Sequence, residues 1–365
     1  MTRRDCLAAV KVAASRTELR EIALPAVEDS GGLLRIEASG VCGADVGWYA
    51  DVGLPNPGPV ILGHHIVGSV DEIAEATAAR LGVAPGDRLL IEEYLPCGGC
   101  AACAAGTARL CPACGPTGDT LRYGSTPIGV GTGLWGGYSQ YLWLDDRAMV
   151  HRLPPDLPTE LATLVFPLAN AISWVRAAGV GPGDTLVVVG PGKLGLSCLA
   201  AARAVDAGFV AMLGRPGDET RLALAAELGA DHVTTEAADL RRAVAAGTAG
   251  RMAQAVVDTA AGTAATIDFA VDVLGFDATI ALAQWPAGHT GVDLPALAAK
   301  RATITTVRGR DDASIRSAVD LVSRDPARFA PMCSGTVELA DLHDTLTALR
   351  YPAGRGDLIH VSAKG

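Results

Sequence analysis

The stretch that decides the fold is TLVVVGPGKLGLSCLAAARAVDAG, which runs from Thr185 to Gly208. Its first five residues are rich in valine and leucine, which predicts a buried strand over Thr185–Val189. A glycine-rich turn follows, and then an alanine- and leucine-rich helix that extends to Ala207. Strand, glycine turn and helix in this order form the setting in which G-x-G-x-x-G indicates a dinucleotide-binding site.

The three glycines of this turn have different physical tasks. Gly190 permits the tight turn after the strand, Gly192 lets a pyrophosphate approach the backbone, and Gly195 lets the helix pack close to the strand. The free N–H groups at the start of the helix, at Lys193 and Leu194, then face the phosphates. The stretch therefore predicts a nicotinamide dinucleotide site.

The flanking sequence divides the chain into two domains. From 157 to 299, strand-like and helical runs alternate, which is typical of a parallel, doubly wound sheet. Residues 1–156 are rich in glycine, proline and short β-like runs, and the pattern changes again from about 300. We therefore predict an α/β protein with a nucleotide-binding domain over 157–299 and one irregular β domain formed by 1–156 and 300–365.

The composition excludes several classes of protein. The chain has 365 residues, enough for two full cores, and its formal net charge of -10 would repel nucleic acid phosphates. No run of about 18 uncharged apolar residues offers a membrane-spanning helix, and Lys11 and Arg16 make the start a poor signal peptide. We expect a cytoplasmic protein with a small-molecule substrate. In that compartment its nine cysteines are ligands or buried thiols rather than disulfides.

Four cysteines stand in a metal-binding pattern in a loop over about 92–114. PCGGCAACAAGTARLC has the spacing C-x-x-C-x-x-C-x7-C, with cysteines at Cys97, Cys100, Cys103 and Cys111. Four thiolates without another ligand type suit a closed, structural Zn2+. Buried or disulfide-paired cysteines are the alternative, but three cysteines so close together do not easily pair with one another. The pattern therefore predicts a structural zinc loop, whose folding is coupled to the metal.

Several further motifs occur in an order that resembles one family. They are GVCGAD at 40–45, PVILGHHIVGSV at 59–70, PGDRL at 85–89, GGYSQYLWL at 136–144 and LAAELGADHV at 224–233. Together with the cysteines and the glycine turn, they make the chain similar to zinc-dependent medium-chain dehydrogenases/reductases, the alcohol dehydrogenase superfamily. The resemblance implies a GroES-like catalytic domain, a Rossmann domain, hydride transfer with NAD(P)(H), and a homodimer or homotetramer.

The resemblance also assigns candidate catalytic residues. Cys42 and His64 match two ligands of the catalytic zinc, and Asp45 matches the carboxylate that orients a ligating histidine. The family's third ligand position falls on Phe166, which cannot bind zinc. The residue after the first histidine, usually a glutamate, is His65. Either His65 completes a zinc site, or zinc is absent and the pocket works through shape, cofactor and hydrogen bonds.

The family's proton relay is also altered. Ala44 stands where a serine or threonine usually relays the alcohol proton, and Gly47 and Trp48 stand where a relay histidine often follows. We predict an NAD(P)(H)-dependent oxidoreductase that interconverts alcohols and carbonyls at a modified site. The alternatives are a zinc-independent reductase of C=C or C=N bonds in specialised metabolism, and a protein that binds NADP(H) without catalysis.

Further residues are candidates for the substrate pocket. Glu93, which follows Glu92 just before the cysteines, is a candidate acid/base because a desolvated carboxylate retains a proton more readily. The alternative is that both glutamates are solvated in a loop. Trp48, Tyr49 and Trp285 are candidate pocket walls, with ordinary packing as the other interpretation.

The end of the second strand of the nucleotide domain predicts the cofactor preference. An acidic residue that binds the ribose of NAD is expected about 20 residues after the first glycine, but Gly214 and Arg215 stand there. Arg215 suits a 2′-phosphate, so we predict NADP(H) over NAD(H), although Asp218 or Glu219 would allow NAD if the loop folds back. The predicted cofactor-binding residues are Gly190, Gly192, Lys193, Leu194, Gly195, Arg215 and Arg221.

Overall fold

The computed structural model describes residues 4–56, 58–114, 121–260, 263–284, 291–350 and 358–365. The predicted pocket wall Trp285 lies outside these residues. The strands, in chain order, are Asp5–Ala13 (β1), Arg16–Ala23 (β2), Gly32–Gly40 (β3), Val60–Ile61 (β4), His65–Ile73 (β5), Arg88–Ile91 (β6), Tyr141–Leu144 (β7), Val150–Arg152 (β8), Thr185–Val189 (β9), Phe209–Leu213 (β10), His232–Thr234 (β11), Ala253–Asp258 (β12), Leu274–Leu282 (β13), Thr303–Thr306 (β14), Cys333–Glu338 (β15) and His360–Lys364 (β16).

The α-helices follow the same chain order. They are Gly43–Tyr49 (α1), Glu75–Leu81 (α2), Ala101–Ala104 (α3), Thr159–Ala177 (α4), Lys193–Ala204 (α5), Glu219–Glu227 (α6), Ala237–Gly247 (α7), Ala264–Val273 (α8), Leu294–Lys300 (α9), Asp312–Arg324 (α10), Pro326–Phe329 (α11) and Leu342–Arg350 (α12). Short 3-10 helices cover Ala108–Leu110, Pro112–Cys114, Ala330–Met332 and Leu339–Asp341.

The chain divides into two compact units. Unit 1 comprises Met1–Leu164 and Cys333–Gly365, and unit 2 comprises Val165–Met332. The first boundary falls inside α4 instead of at the predicted 156/157. The second boundary lies after Met332, whereas the sequence predicted that the β domain resumes at 300. The reason is that β14 pairs in parallel with β13, with Thr303 opposite Thr279, so this strand belongs to the sheet of unit 2.

Unit 2 is built on one parallel sheet. Its strand order is β11-β10-β9-β12-β13-β14, so β9 lies at the centre and the chain winds outward on both sides of it. Every pairing in this sheet is parallel. β9 is buried along its whole length, which explains its uninterrupted apolar sequence. This is the doubly wound order of dinucleotide-binding domains.

Helix α4 continues through a proline. It covers Thr159–Ala177 with Pro167 inside it. Residues 161–169 are all buried. Packing of this apolar helix on its surroundings outweighs the local cost of the missing N–H group.

Unit 1 contains two mainly antiparallel sheets. A three-stranded sheet has the order β2-β1-β4, and a seven-stranded sheet has the order β15-β16-β3-β5-β6-β8, with β7 also paired to β3. Along β3, Gly40 lies opposite His65 of β5 and Ser362 of β16. The last strand of the chain therefore joins a sheet that is otherwise built largely from the first half of the sequence.

The glycine turn after β9 has the geometry that its sequence predicts. Gly190 has φ +98, a left-handed conformation that favours glycine. A Cβ on Gly195 would lie 1.8 Å from the carbonyl oxygen of Gly190, whereas a Cβ on Gly192 would meet no atom within 4 Å. Gly195 is therefore required for packing, while Gly192 leaves open space above the start of α5.

These two glycines provide a matched stability test. We expect Gly195→Ala to lower the free energy of unfolding by about 3 kcal/mol, because α5 has to move away from the turn. Gly192→Ala is expected to change it by less than about 1 kcal/mol. Urea titration of the intact chain measures both variants, and an equal loss in the two would contradict this description of the turn.

Candidate active site

Three potential metal ligands meet in unit 1. One ligand atom each from Cys42, His64 and His65 lies within 4.8 Å of the other two. The two imidazole rings meet edge to face with their centroids 4.7 Å apart, and both histidines are buried. We call Cys42, His64 and His65 the mixed-donor centre.

Local backbone geometry explains how these residues converge. Cys42 occupies the N-cap of α1, and His65 is the first residue of β5. Gly63, directly before the two histidines, has φ +88, and a Cβ there would lie 2.7 Å from the ring of Tyr138. A glycine is needed at this position both for the turn and for the close approach.

A buried carboxylate organises this centre. Asp45 Oδ1 lies 3.1 Å from His64 Nδ1 and accepts a hydrogen bond of 3.2 Å from the Gly63 N–H. Its Oδ2 accepts hydrogen bonds from the Cys42 N–H at 2.8 Å and from the Tyr138 hydroxyl at 3.0 Å. Because Nδ1 of His64 is held by Asp45, Nε2 is the ring nitrogen left to bind a metal.

The electrostatics of the centre favour a cation. Burial lowers the pKa of the His64 imidazole, but the negative charges of Asp45 and Cys42 outweigh burial and raise this pKa to about 10. Burial likewise raises the pKa of Asp45, yet the charge of His64 and the hydrogen bonds keep it below its usual value. A site that holds a proton this strongly carries surplus negative charge, which a bound divalent cation compensates equally well.

Phe166, at the family's third ligand position, lies beside a cation within unit 2. It lies in α4 and belongs to unit 2, where the guanidinium of Arg310 stands 4.7 Å from the centroid of its ring. Both side chains are buried. Among the described residues of unit 1, His65 is the third potential ligand that lies with Cys42 and His64.

The four predicted zinc cysteines also converge. The sulfur atoms of Cys97, Cys100, Cys103 and Cys111 all lie within 4.8 Å of one another. Two of the distances, Cys100 Sγ to Cys103 Sγ and Cys97 Sγ to Cys111 Sγ, are 3.5 Å. A tetrahedron with Zn–S bonds of about 2.3 Å separates its sulfurs by about 3.8 Å, so the thiols fit this ion.

The backbone also prepares one of these thiols for metal binding. The Cys97 N–H donates a hydrogen bond of 3.4 Å to Cys111 Sγ. This hydrogen bond, partly opposed by desolvation, lowers the pKa of Cys111 to about 6, so the thiolate form that binds zinc is accessible at neutral pH. Cys114 is buried nearby but is not part of the four-thiol group within the described residues.

A buried ion-pair network attaches the loop that carries the four cysteines to the seven-stranded sheet. The carboxylate of Glu92 is fully buried. It accepts two hydrogen bonds from Arg109, one of them 2.9 Å long from Nε, and its Oε1 lies 2.7 Å from His151 Nε2. Arg109 belongs to the cysteine loop and His151 to β8. Glu92 therefore anchors the loop, and it is not the solvated residue that the alternative interpretation allowed.

Glu93 is buried next to a cation. Its Oε1 lies 3.8 Å from an amino nitrogen of Arg122. A neighbouring guanidinium stabilises the negative form of a carboxylate, which suits an acceptor better than a proton donor. The acid/base role of Glu93 stays a prediction, and its contact with Arg122 is a feature that the sequence did not indicate.

The predicted cofactor residues of unit 2 lie at the carboxyl edge of its sheet. Leu213 of β10 is paired with Val189 of β9, so the residues that follow both strands are neighbours. Arg215 leaves its side chain 66% exposed. Asp218 is buried, accepts a hydrogen bond of 3.1 Å from the Arg215 N–H and pairs with Arg221 at 3.2 Å. The carboxylate that would allow NAD is thus occupied within its own loop, and so is Glu219, which accepts from the N–H of residue 217 at 3.1 Å.

Comparison with known proteins identifies the family. Residues 29–155 match the family model of the alcohol dehydrogenase GroES-like domain, and residues 194–324 match that of the zinc-binding dehydrogenases. A Mycobacterium tuberculosis protein named "Probable alcohol dehydrogenase adh" is 34% identical over 347 residues, which cover 94% of each chain. The erythritol/L-threitol dehydrogenase of Mycolicibacterium smegmatis is 33% identical over 222 residues, 58% of each chain. The chain belongs to the zinc-type medium-chain dehydrogenase/reductase family.

Solved structures agree with this fold. An alcohol dehydrogenase from Thermotoga maritima aligns with a TM-score of 0.86 at 23% identity and 99% coverage of both chains. A Sinorhizobium meliloti protein described as a zinc-binding dehydrogenase, solved with NADP bound, aligns with a TM-score of 0.84 at 23% identity and full coverage of both chains. The predicted family, fold class and oxidoreductase activity are confirmed. No helix among the described residues is long and apolar enough to cross a membrane.

Sequence reasoning missed several residues around these sites. Tyr138 lies within the GGYSQYLWL motif, so its position in a family motif was the available signal for its bond to Asp45. Arg109 lies inside the cysteine motif but is not one of its ligands, and Arg122 and His151 lie in none of the quoted motifs. They come together with the glutamates through the tertiary fold of unit 1, and spacing along the chain does not reveal such contacts.

Metal content tests the mixed-donor centre. We expect about two zinc ions per chain in the purified protein and about one in His65→Ala, because two remaining protein ligands hold zinc poorly. The control His232→Ala removes a half-buried histidine of unit 2 that pairs with Asp239 and should leave both ions bound. Elemental analysis of the dialysed proteins gives the count. One ion per chain in the unsubstituted protein would instead support the zinc-independent alternative.

Proposed function

We propose that this chain is an NADP(H)-preferring oxidoreductase that interconverts alcohols and carbonyls, with a catalytic metal on Cys42, His64 and His65. The observation that carries the proposal is the convergence of these three ligands around the buried Asp45–His64 pair. Cys97, Cys100, Cys103 and Cys111 would hold a second, structural zinc. The predicted homodimer or homotetramer remains a prediction.

The protein's own residues have separate tasks in this reaction. When bound, zinc supplies a Lewis acid for the substrate oxygen, and the nicotinamide supplies or accepts the hydride. Asp45 fixes the orientation of the His64 ring and balances positive charge at the centre. Without a carboxylate among its protein ligands, the centre would carry a net charge of about +1 and polarise oxygen more strongly than a site with an added carboxylate.

Proton transfer is the step in which this enzyme departs from its relatives. Ala44 lies in the first turn of α1, two residues after Cys42, and has no hydroxyl with which to pass on a proton. The proton that an alcohol loses on oxidation therefore leaves by a route that does not use residue 44. This difference supports a modified active site within an otherwise ordinary family fold.

The cofactor preference rests on the loop after β10. Gly214 leaves no side chain beside the expected ribose position, while the Arg215 guanidinium is largely exposed and only loosely associated with Asp218, at 3.8 Å. Arg221 keeps its position through Asp218 and adds positive charge to the loop.

A cofactor comparison tests this proposal. The enzyme is expected to oxidise short secondary alcohols faster with NADP+ than with NAD+. Arg215→Ala should raise the KM for NADP+ about 10- to 100-fold and leave that for NAD+ within about twofold, since one charge-assisted hydrogen bond is lost. Arg242→Ala, at an exposed arginine in α7, is the control. Faster turnover with NAD+ in the unsubstituted enzyme would reject the NADP(H) preference, and no turnover with either cofactor would reject the activity.

A further inference from the structure

Four side chains of unit 1 form a compact polar and aromatic cluster next to the mixed-donor centre. The guanidinium of Arg122 lies 5.6 Å from the ring centroid of Trp48 and 5.1 Å from that of Tyr94. Its amino nitrogen is 3.8 Å from Oε1 of Glu93. We call these residues the Arg122 cluster. A cation between two aromatic faces and beside a carboxylate is held in one position.

The backbone around this cluster is equally constrained. Tyr94 and Arg122 form an isolated antiparallel bridge, and the Tyr123 N–H donates a hydrogen bond of 3.0 Å to the Glu93 carbonyl. The Arg122 N–H donates to Thr126 Oγ1 at 2.7 Å, and the same hydroxyl donates back to the Arg122 carbonyl at 2.8 Å. The segment that carries Arg122 is therefore fixed on both of its sides.

The cluster directly adjoins a proposed metal ligand. The Trp48 ring lies 5.3 Å from the His64 ring, centroid to centroid, so one aromatic ring contacts both Arg122 and His64. Two residues after Arg122, a Cβ on Gly124 would lie 2.9 Å from the Cβ of His64. The chain segment that bears Arg122 thus packs on the residue that would hold the metal.

Arg122 retains unused hydrogen-bonding capacity. Its side chain is only 12% exposed, and its buried Nε has no hydrogen-bond acceptor among the described residues. A guanidinium has five N–H donors, and the separation of 3.8 Å from Glu93 is too long for a good hydrogen bond. A buried donor without an acceptor is costly, so a bound molecule that brings a hydrogen-bond acceptor to Arg122 would stabilise this cluster.

The charges of the cluster restrict the chemistry of that ligand. An anionic group on the ligand would be attracted by Arg122. It would also be repelled by the Glu93 carboxylate, which lies 3.8 Å from the same guanidinium. A neutral hydroxyl group satisfies both, because its oxygen accepts from the guanidinium and its hydrogen is donated to the carboxylate.

We propose that Glu93 and Arg122 are specificity-determining residues that recognise a second hydroxyl group of the substrate, on the carbon next to the one that is oxidised. The substrate class is then vicinal diols and longer polyols. This inference rests on the proposed function, because the oxidised oxygen must lie at the mixed-donor centre. It also gives Glu93 a different task from the acid/base role predicted from the sequence.

Three substrates with the same four-carbon skeleton test the proposal. 2-Butanol, 1,2-butanediol and 2-hydroxybutyrate are all oxidised at the second carbon, but they carry a methyl, a hydroxymethyl or a carboxylate group beside it. We expect kcat/KM for 1,2-butanediol to exceed the other two values by about 100-fold, since a site built around a hydroxyl discriminates strongly against its absence.

The variants separate recognition from folding. Arg122→Met and Glu93→Gln are expected to lower kcat/KM for the diol about 10- to 100-fold and to leave that for 2-butanol within about threefold. Arg147→Met removes an arginine of unit 1 that pairs with Asp145 and should change neither value. Thermal unfolding midpoints and zinc content of each variant show whether the fold and the metal sites are intact.

Each other outcome has a definite meaning. Preference for 2-hydroxybutyrate, equal rates on diol and 2-butanol, or a parallel loss on both in the variants would overturn the proposed recognition while leaving the alcohol dehydrogenase activity established. Absence of NADP+-linked turnover with all three substrates would overturn the proposed function, and this inference with it.

Discussion

The structure of the proposed catalytic centre depends on one buried carboxylate. Asp45 accepts hydrogen bonds from the Cys42 and Gly63 N–H groups and from the Tyr138 hydroxyl, and it contacts His64. Burying an ion without such partners is prohibitively costly. The four contacts therefore join the start of α1, the turn before β5 and the segment before β7 at a single point. This point also fixes the orientation of His64.

The buried Asp45 carboxylate gives the mixed-donor centre a negative charge, and this charge determines which partner the centre can bind. A thiol, two imidazoles and a buried carboxylate within a few ångströms favour a positive partner, as the raised pKa of His64 shows. The four-thiol group is suited to a structural task, because Arg109 in its loop is hydrogen-bonded to Glu92 beside the sheet. One cysteine-containing centre is thus suited to catalysis and the other to structure, and their different donor sets account for the difference.

The sequence predicted those parts of the molecule that short motifs encode. The roles of Gly190 and Gly195 follow from strand, turn and helix order, and the structure has the geometry they require. The convergence of Cys42, His64 and His65 was an open alternative, and the structure brings these residues together. In each case the residues that meet either lie close together in the sequence or belong to motifs that the family resemblance places in one site.

What the sequence did not predict depends on long-range packing. The pairing of β14 with β13 extends unit 2 to Met332, and no change in composition marks that boundary. Arg122 contacts Trp48 and Glu93 although the whole cysteine loop separates it from them in the sequence. Helix α4 continues through Pro167 because burial of its apolar residues outweighs the local cost of the proline. Such contacts are set by tertiary structure rather than by local pattern.

The most direct test of a zinc ion on Cys42, His64 and His65 is anomalous X-ray diffraction from crystals of the protein, measured on both sides of the zinc absorption edge. We expect two anomalous peaks per chain. One should lie among the four cysteine sulfurs, and the other should be bound by Cys42 Sγ and by one imidazole nitrogen each of His64 and His65. A single peak at the four cysteines, or a second peak that does not contact His65, would contradict this expectation.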